Sequence, residues 1–151
     1  MKLSDFMDAR AVEPELDGGG SDDVLGHLVD RMTEAGILSP SSDALQRLKE
    51  RERLKSTGIG GGIAIPHAKT AAVSRTWVAL GRSPGGVPFD AEDGKPVNVV
   101  FLILGPPDSS AEHVKVLSCI ARLVRKPEFM AAVAAAADGP GLMGAVESFQ
   151  E

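Results

Sequence analysis

The stretch Arg51-Glu-Arg-Leu-Lys-Ser-Thr-Gly-Ile-Gly-Gly-Gly-Ile-Ala-Ile-Pro-His67 runs from a charged helical end, through a glycine-rich turn, into a short apolar segment closed by Pro-His. It aims one imidazole from a backbone-rich platform. A neutral imidazole is nucleophilic and abundant near neutral pH, so a histidine so placed is able to act as a nucleophile or a phosphoryl carrier. Taken alone, His67 reads better as an ordinary partly buried histidine, and the glycines have the alternative reading of a surface turn. Gly58 to Gly62 lack the Lys-Ser/Thr that follows in a P-loop and the spacing of a dinucleotide fingerprint, which disfavours nucleotide binding. Without Cβ atoms they are instead suited to a sharp turn and to offering N–H groups to an anion beside His67.

Upstream, Ser39-Pro40 is a helix-start signal, and Ala44, Leu45 and Leu48 give an inner stripe leading into Arg51. Before it, Gly18-Gly-Gly20 marks a turn. Ser21 then suits the cap of a helix whose apolar positions Val24, Leu25, Leu28, Val29 and Met32 stop near Gly36. Downstream, Ile63 to Ile65 and Thr76 to Gly81 read as strands, and Val97 to Leu104 as a strand buried on both faces because it barely alternates. Gly85-Gly-Val-Pro and Ala91-Glu-Asp-Gly94 read as turns. Past Gly105-Pro-Pro107, Ser109 or Ser110 is placed to cap a helix with Val114, Leu117, Ala121 and Val124 on one face, which puts His113 in its first turn. An alanine-rich helix from Pro127 to about Ala137 and a last one from Leu142 to Phe149, separated by Asp138-Gly-Pro-Gly141, complete an α/β pattern.

With 151 residues, one core and one domain spanning 1–151 are expected. Sixteen basic against twenty-one acidic residues leave a net charge of −5, and the basic ones form no run, so no nucleic-acid surface is expected. The first ten residues lack the apolar core of a signal peptide, and no apolar run is long enough to span a bilayer; a cytoplasmic protein without membrane insertion is expected. The single cysteine, Cys119, excludes an internal disulfide and fits a small hydrophobe on an amphipathic helix. His27 lies outside the apolar stripe of its helix and reads as surface. The three histidines form no zinc pattern, although His67 and His113 with a carboxylate are a conceivable metal set. Pro88-Phe-Asp90 and Asp93 read either as an acidic edge of the site or as a solvated turn.

Arg51-Glu-Arg, Ser56-Thr-Gly-Ile-Gly60 and Gly62-Ile-Ala-Ile-Pro-His67 resemble the active-site signature of the fructose/mannitol-type enzyme IIA family, phosphocarriers of the bacterial phosphotransferase system. The resemblance continues through Val87-Pro-Phe-Asp-Ala-Glu-Asp-Gly-Lys-Pro-Val97, Val99 to Leu104 and Glu112-His-Val-Lys-Val-Leu-Ser118. It implies an α/β sandwich with a mixed sheet flanked by helices. It also implies three site residues: His67 as the acceptor of a phosphoryl group from a histidine phosphocarrier protein, His113 beside it, and Arg51 approaching the phosphate. For His113, the helix N-terminus is expected to disfavour protonation and leave a neutral hydrogen-bond donor. Arg51 also reads as a helix-surface residue paired with Glu52. No metal or organic cofactor is needed for transfer between imidazoles. The chain has no IIC region or room for a IIB domain, so a free-standing unit is expected. It would pass phosphate to a separate IIB component or, as in the nitrogen-type branch, signal to a regulatory target. The alternative is a non-catalytic module of the same fold that acts by binding.

Overall fold

The computed structural model describes residues 1–16 and 18–150. A 3₁₀ turn, Leu3–Phe6, leads into strand β1 (Met7–Glu13), followed by helices α1 (Ser21–Glu34) and α2 (Ala44–Leu54). Three short strands come next: β2 (Gly58–Gly60), β3 (Ile63–Ala64) and β4 (His67–Lys69). Two long strands, β5 (Trp77–Val87) and β6 (Val97–Gly105), precede helices α3 (Ser110–Val124), α4 (Pro127–Ala135) and α5 (Gly139–Phe149). The sheet order is β1-β5-β6-β3-β2, with β4 also paired to β6. β1 runs parallel to β5, β5 antiparallel to β6, and β3 and β4 parallel to β6. The expected mixed sheet with flanking helices is therefore found.

Side chains alternate across a strand, and β6 uses both sides. Val100, Leu102 and Leu104 pack with Val24, Leu25, Leu28 and Met32 of α1 and Leu48 of α2. Val99, Phe101 and Ile103 pack with Val116, Ile120 and Leu123 of α3, Phe129 and Val133 of α4, and Leu142 and Val146 of α5. A strand with a helical layer on each face has no polar side to show, which is why its sequence reads as one apolar run.

The apolar stripe expected on α1 is the buried one. Its end is a Schellman motif: Gly36 has φ +78°, its N–H donates to Thr33 O, and the Ile37 N–H donates to Met32 O. Its start differs, since Ser21 is already helical and Gly20 is the flanking residue without a side-chain cap. α2 begins at Ala44, because Ser39-Pro40 forms a turn closed by Ser42 N–H to Ser39 O. On α3 the expected face is covered only in part: Leu117 and Val124 pack against the core and Ala121 is half-buried. Val114 is 65% exposed and the core residues are Val116, Ile120 and Leu123. The helix carries apolar residues on two adjoining faces, and only contact with the sheet selects between them.

Gly85-Gly86 lies inside β5 rather than in a turn. Between the pairs Arg82–Val99 and Val87–Val97 the two strands differ in length, and Gly86 at φ +83° absorbs the bulge. The Ala91–Gly94 turn is as expected, closed by Gly94 N–H to Ala91 O. Asp138-Gly-Pro-Gly141 is no spacer: Asp138 caps α5 by accepting from Gly141 N–H, and the helix starts at Gly139. β1 had no counterpart in the sequence reading.

One buried cation ties the α4 side to the sheet. Arg82 of β5, 6% exposed, donates to the carbonyls of Pro14, Val133 and Ala136. Arg82→Met keeps much of the side-chain length but orphans these acceptors, and each buried acceptor without a partner costs about 1–3 kcal/mol. A loss of at least about 2 kcal/mol is expected in urea unfolding; a loss well below 1 kcal/mol would mean that water takes over the carbonyls.

Candidate functional site

β3 and β4 lie along the same side of β6, interrupted at Ile65-Pro66. Proline has no N–H to give to a ladder and holds the preceding residue extended. The chain is re-anchored beyond it: Pro66 O accepts from Ile103 N–H at 2.9 Å, and His67 pairs with Ile103. The carbonyl of Ile65 lies 2.7 Å from His67 Nδ1. A carbonyl only accepts, so Nδ1 carries the proton and Nε2 presents its lone pair.

β6 then ends at Gly105 and delivers α3. A Cβ on Gly105 would sit 2.5 Å from Ser109 Oγ, so a larger residue would displace that hydroxyl. Ser109 Oγ donates to Pro106 O instead of capping the helix. His113 follows in the first turn, its own N–H already bonded to Ser109 O. The rings of His67 and His113 stand 5.0 Å apart between centroids at 57°. Both line an open cleft of about 490 Å³ with Arg47, Glu50, Arg51 and Leu54 of α2, and Ala68 and Lys69 of β4.

α2 is held against β4 by Asp43, whose carboxylate accepts from Thr70 Oγ1 at 2.6 Å and from Arg47 Nε. The Arg47 guanidinium first, then the Thr70 hydroxyl, holds the Asp43 carboxyl below the usual range. One turn on, Arg51 faces the same cleft and spends one N–H on Lys55 O, 2.9 Å away. It is not paired with Glu52, which accepts from Thr57 N–H and Oγ1 at 2.8 and 2.7 Å and draws the chain from α2 into β2.

His113 is pushed below the ordinary histidine range. Burial is the main cause, followed by the electrostatic influence of the neighbouring His67 and of the Lys69 ammonium, so the direction expected from the helix N-terminus has a different origin. Its Nδ1 is buried without a partner. A buried N–H with no acceptor is rarer than an idle lone pair, which places the proton of the neutral ring on Nε2.

The structure thus brings His67, His113 and Arg51 to one cleft. The glycine loop is elsewhere. Gly60, Gly61 and Gly62 all have positive φ and close the β2–β3 hairpin, and the Gly61 N–H is taken by Asp93 at 3.0 Å. Asp93 also accepts from Lys95 N–H, so its carboxyl is held low and braces the hairpin, away from the residues that line the cleft. His27 is likewise no plain surface residue: its Nε2 lies 3.0 Å from Glu13 Oε1, which Arg31 also approaches. Cys119 is half-buried on α3. Lys69 and Arg47 were missed. Strand alternation from His67 points to Lys69, and the helical repeat back from Arg51 points to Arg47. Among the described residues, no group of three or more His, Cys, Asp or Glu side chains is placed to hold a metal, and no helix is long and apolar enough to cross a membrane.

Residues 5–144 match the family described as "Phosphoenolpyruvate-dependent sugar phosphotransferase system, EIIA 2". The PTS system fructose-specific EIIA component of Haloferax volcanii is 45% identical over 95 residues, covering 63% of this chain and 62% of that relative. The chain therefore spans less than two thirds of that relative's length. The nitrogen regulatory protein of Bradyrhizobium diazoefficiens is 30% identical over 143 residues, covering 94% of this chain and 92% of the relative. The crystal structure of Nitrogen Regulatory Protein IIA-Ntr from Neisseria meningitidis superposes with a TM-score of 0.85 at 27% identity, over 95% of this chain and 98% of that one.

The environment of His113 sets a pH dependence. Folding weakens its hold on a proton, so below the ordinary value of 6.5 the unfolded chain binds more protons and stability falls as pH falls. The urea midpoint is expected to drop as pH is lowered through 6.5, and His113→Gln to flatten that part of the curve. An NMR titration midpoint for His113 at or above 6.5 would contradict this.

Proposed function

The chain belongs to the EIIA 2 family of the phosphoenolpyruvate-dependent sugar phosphotransferase system, and from that premise we propose that it is a phosphoryl carrier with His67 as the acceptor. The observation that carries the reading is the 2.7 Å contact between His67 Nδ1 and Ile65 O, which leaves Nε2 free to attack in a cleft shared with His113 and Arg51. The donor is a phosphohistidine on a histidine phosphocarrier protein. The Nε2 lone pair of His67 forms a new N–P bond as the donor's N–P bond breaks. The electron pair of the broken bond returns to the donor imidazole, and the phosphoryl group crosses without a metal.

Such a transfer depends on in-line positioning and on compensating charge on the three equatorial oxygens. His113 supplies a neutral donor from Nε2. Arg51 keeps further N–H groups beyond the one it gives Lys55 O, and turns them to the phosphoryl oxygens. The docking face includes the exposed Leu54, which lines the cleft at 83% exposure, and Val114 beside His113. Large apolar side chains left in water at a cleft rim suit a protein partner.

Downstream, the phosphate passes in the cytoplasm to the cysteine of a IIB component, or its presence on His67 is read by a regulatory target. The fructose-specific and the nitrogen regulatory relatives favour one use each. A phosphorylated chain that discharges to a purified IIB domain supports transport, and one that binds a target only in one phosphorylation state supports regulation.

Incubation with enzyme I, a histidine phosphocarrier and labelled phosphoenolpyruvate is expected to place an acid-labile, base-stable phosphate on the wild-type chain and none on His67→Ala, with circular dichroism unchanged. Label retained by His67→Ala would refute the assignment, and no label on the wild type from several donors would favour a binding module. Arg51→Ala is expected to slow transfer roughly 10²-fold, the usual loss of one donor to a developing charge. Leu54→Asp should raise KM for the donor and leave the rate at saturation unchanged; stopped-flow quench assays separate the two.

A further inference from the structure

His67 and Lys69 stand two residues apart on β4, so their side chains leave the same side of the strand about 6.6 Å apart along it, and both line the cleft. The Lys69 ammonium donates to Ser110 Oγ, on the first residue of α3. It has no carboxylate: the ion pairs among the described residues engage Arg10, His27, Arg31, Arg47 and Arg82. Its neighbour Arg47 is neutralised by Asp43, and Glu50 accepts from Gln46 Nε2. Lys69 is thus a half-buried side chain whose ammonium, in an exposed contact, meets one hydroxyl and no carboxylate. A hydroxyl cannot match its charge, whereas an anion can, and a charge-assisted bond is roughly twice as strong as a neutral one.

We propose that Lys69 is a phosphoryl-binding residue, which exchanges Ser110 Oγ for an equatorial oxygen of the phosphoryl group on His67 Nε2 and so stabilises the phosphohistidine. The proposal rests on the carrier reading given above. No covalent bond to Lys69 forms or breaks: one hydrogen bond is given up, another is made, and the phosphoryl group keeps its negative charge. Ser110 serves as the resting partner of the ammonium in the unphosphorylated chain. After burial and His67, the Lys69 charge is the third influence that weakens proton binding at His113, and after transfer the same charge lies against the phosphate.

The test uses the full chain phosphorylated from phosphoenolpyruvate through enzyme I and a histidine phosphocarrier. Two quantities are read: the phosphorylated fraction at equilibrium with the donor, and the protonation midpoint of the phosphoryl group by ³¹P NMR. A nearby cation lowers that midpoint, so Lys69→Gln is expected to raise it. The same variant should shift the equilibrium about tenfold toward the donor, the size of one charge-assisted hydrogen bond. Lys69→Arg should keep both near wild type. Ser110→Ala removes the resting partner but keeps the charge, so its equilibrium should equal or exceed wild type.

A midpoint unchanged and an equilibrium within about twofold in Lys69→Gln would overturn the proposal while leaving the carrier reading intact. Equal losses in Lys69→Gln and Ser110→Ala would overturn it too, because they would make the contact a tie between β4 and α3. Failure of the wild type to take up phosphate would overturn both. Should Lys69→Gln fold poorly, the ¹⁵N signal of the wild-type Lys69 ammonium decides: it moves on phosphorylation if the bond is exchanged and stays in place if it is not.

Discussion

Everything at the cleft is registered on β6. Its backbone pairs with β5 along one edge and with β3 and β4 along the other, and its two faces seat the two helical layers. Because the ladder fixes His67 opposite Ile103, and because the same strand ends two residues later and launches α3, the separation of the two imidazoles is set by hydrogen bonds of the sheet rather than by a flexible loop. Sheet ladders of this kind are among the last parts of a fold to open. A ring centroid distance of 5.0 Å is thereby maintained between residues 46 positions apart.

The electrostatics of the cleft run against those of the whole chain. A protein with a net charge of −5 gathers Arg47, Arg51 and Lys69 on one opening, with Glu50 the acidic side chain in its lining. A neutral His113 among these cations follows from burial and like charge acting in the same direction. An imidazole kept uncharged retains one hydrogen-bond donor, and it stands beside guanidinium and ammonium donors that face the same opening.

The sequence was most readable where periodicity and burial coincide. The stripe of α1 and the unbroken run of β6 each had one physical solution, a single buried face and two buried faces. Reading failed where tertiary contact breaks a tie. On α3, Val114 belongs to an apolar row with Leu117 and Val124 that adjoins the one through Val116, Ile120 and Leu123, and only the sheet decides how far each is covered. β1 packs through Met7, Ala11 and Val12, an uneven pattern with Arg10 between, and β4 is three residues long, too short to show any period. Of the candidate site, His67, His113 and Arg51 were legible through a motif, whereas Lys69 was legible only by counting along a strand that had not been recognised. For the glycine loop the turn reading stands and the preferred one, N–H groups offered to an anion beside His67, does not, because composition signals backbone freedom without saying what receives the N–H groups; Asp93, 32 residues on, receives that of Gly61.

That loop has another effect. An open sheet ends in a row of unpaired N–H and C=O groups, which is a template for a second chain. Here the outermost strand on one side is three residues long, and Gly60, Gly61 and Gly62 curl it back at once on positive φ angles. A neighbouring molecule would find almost no straight edge on which to add a strand, even though Ile59 is exposed there. The hairpin thus guards the fold against edge-to-edge aggregation on the side of the sheet that carries His67.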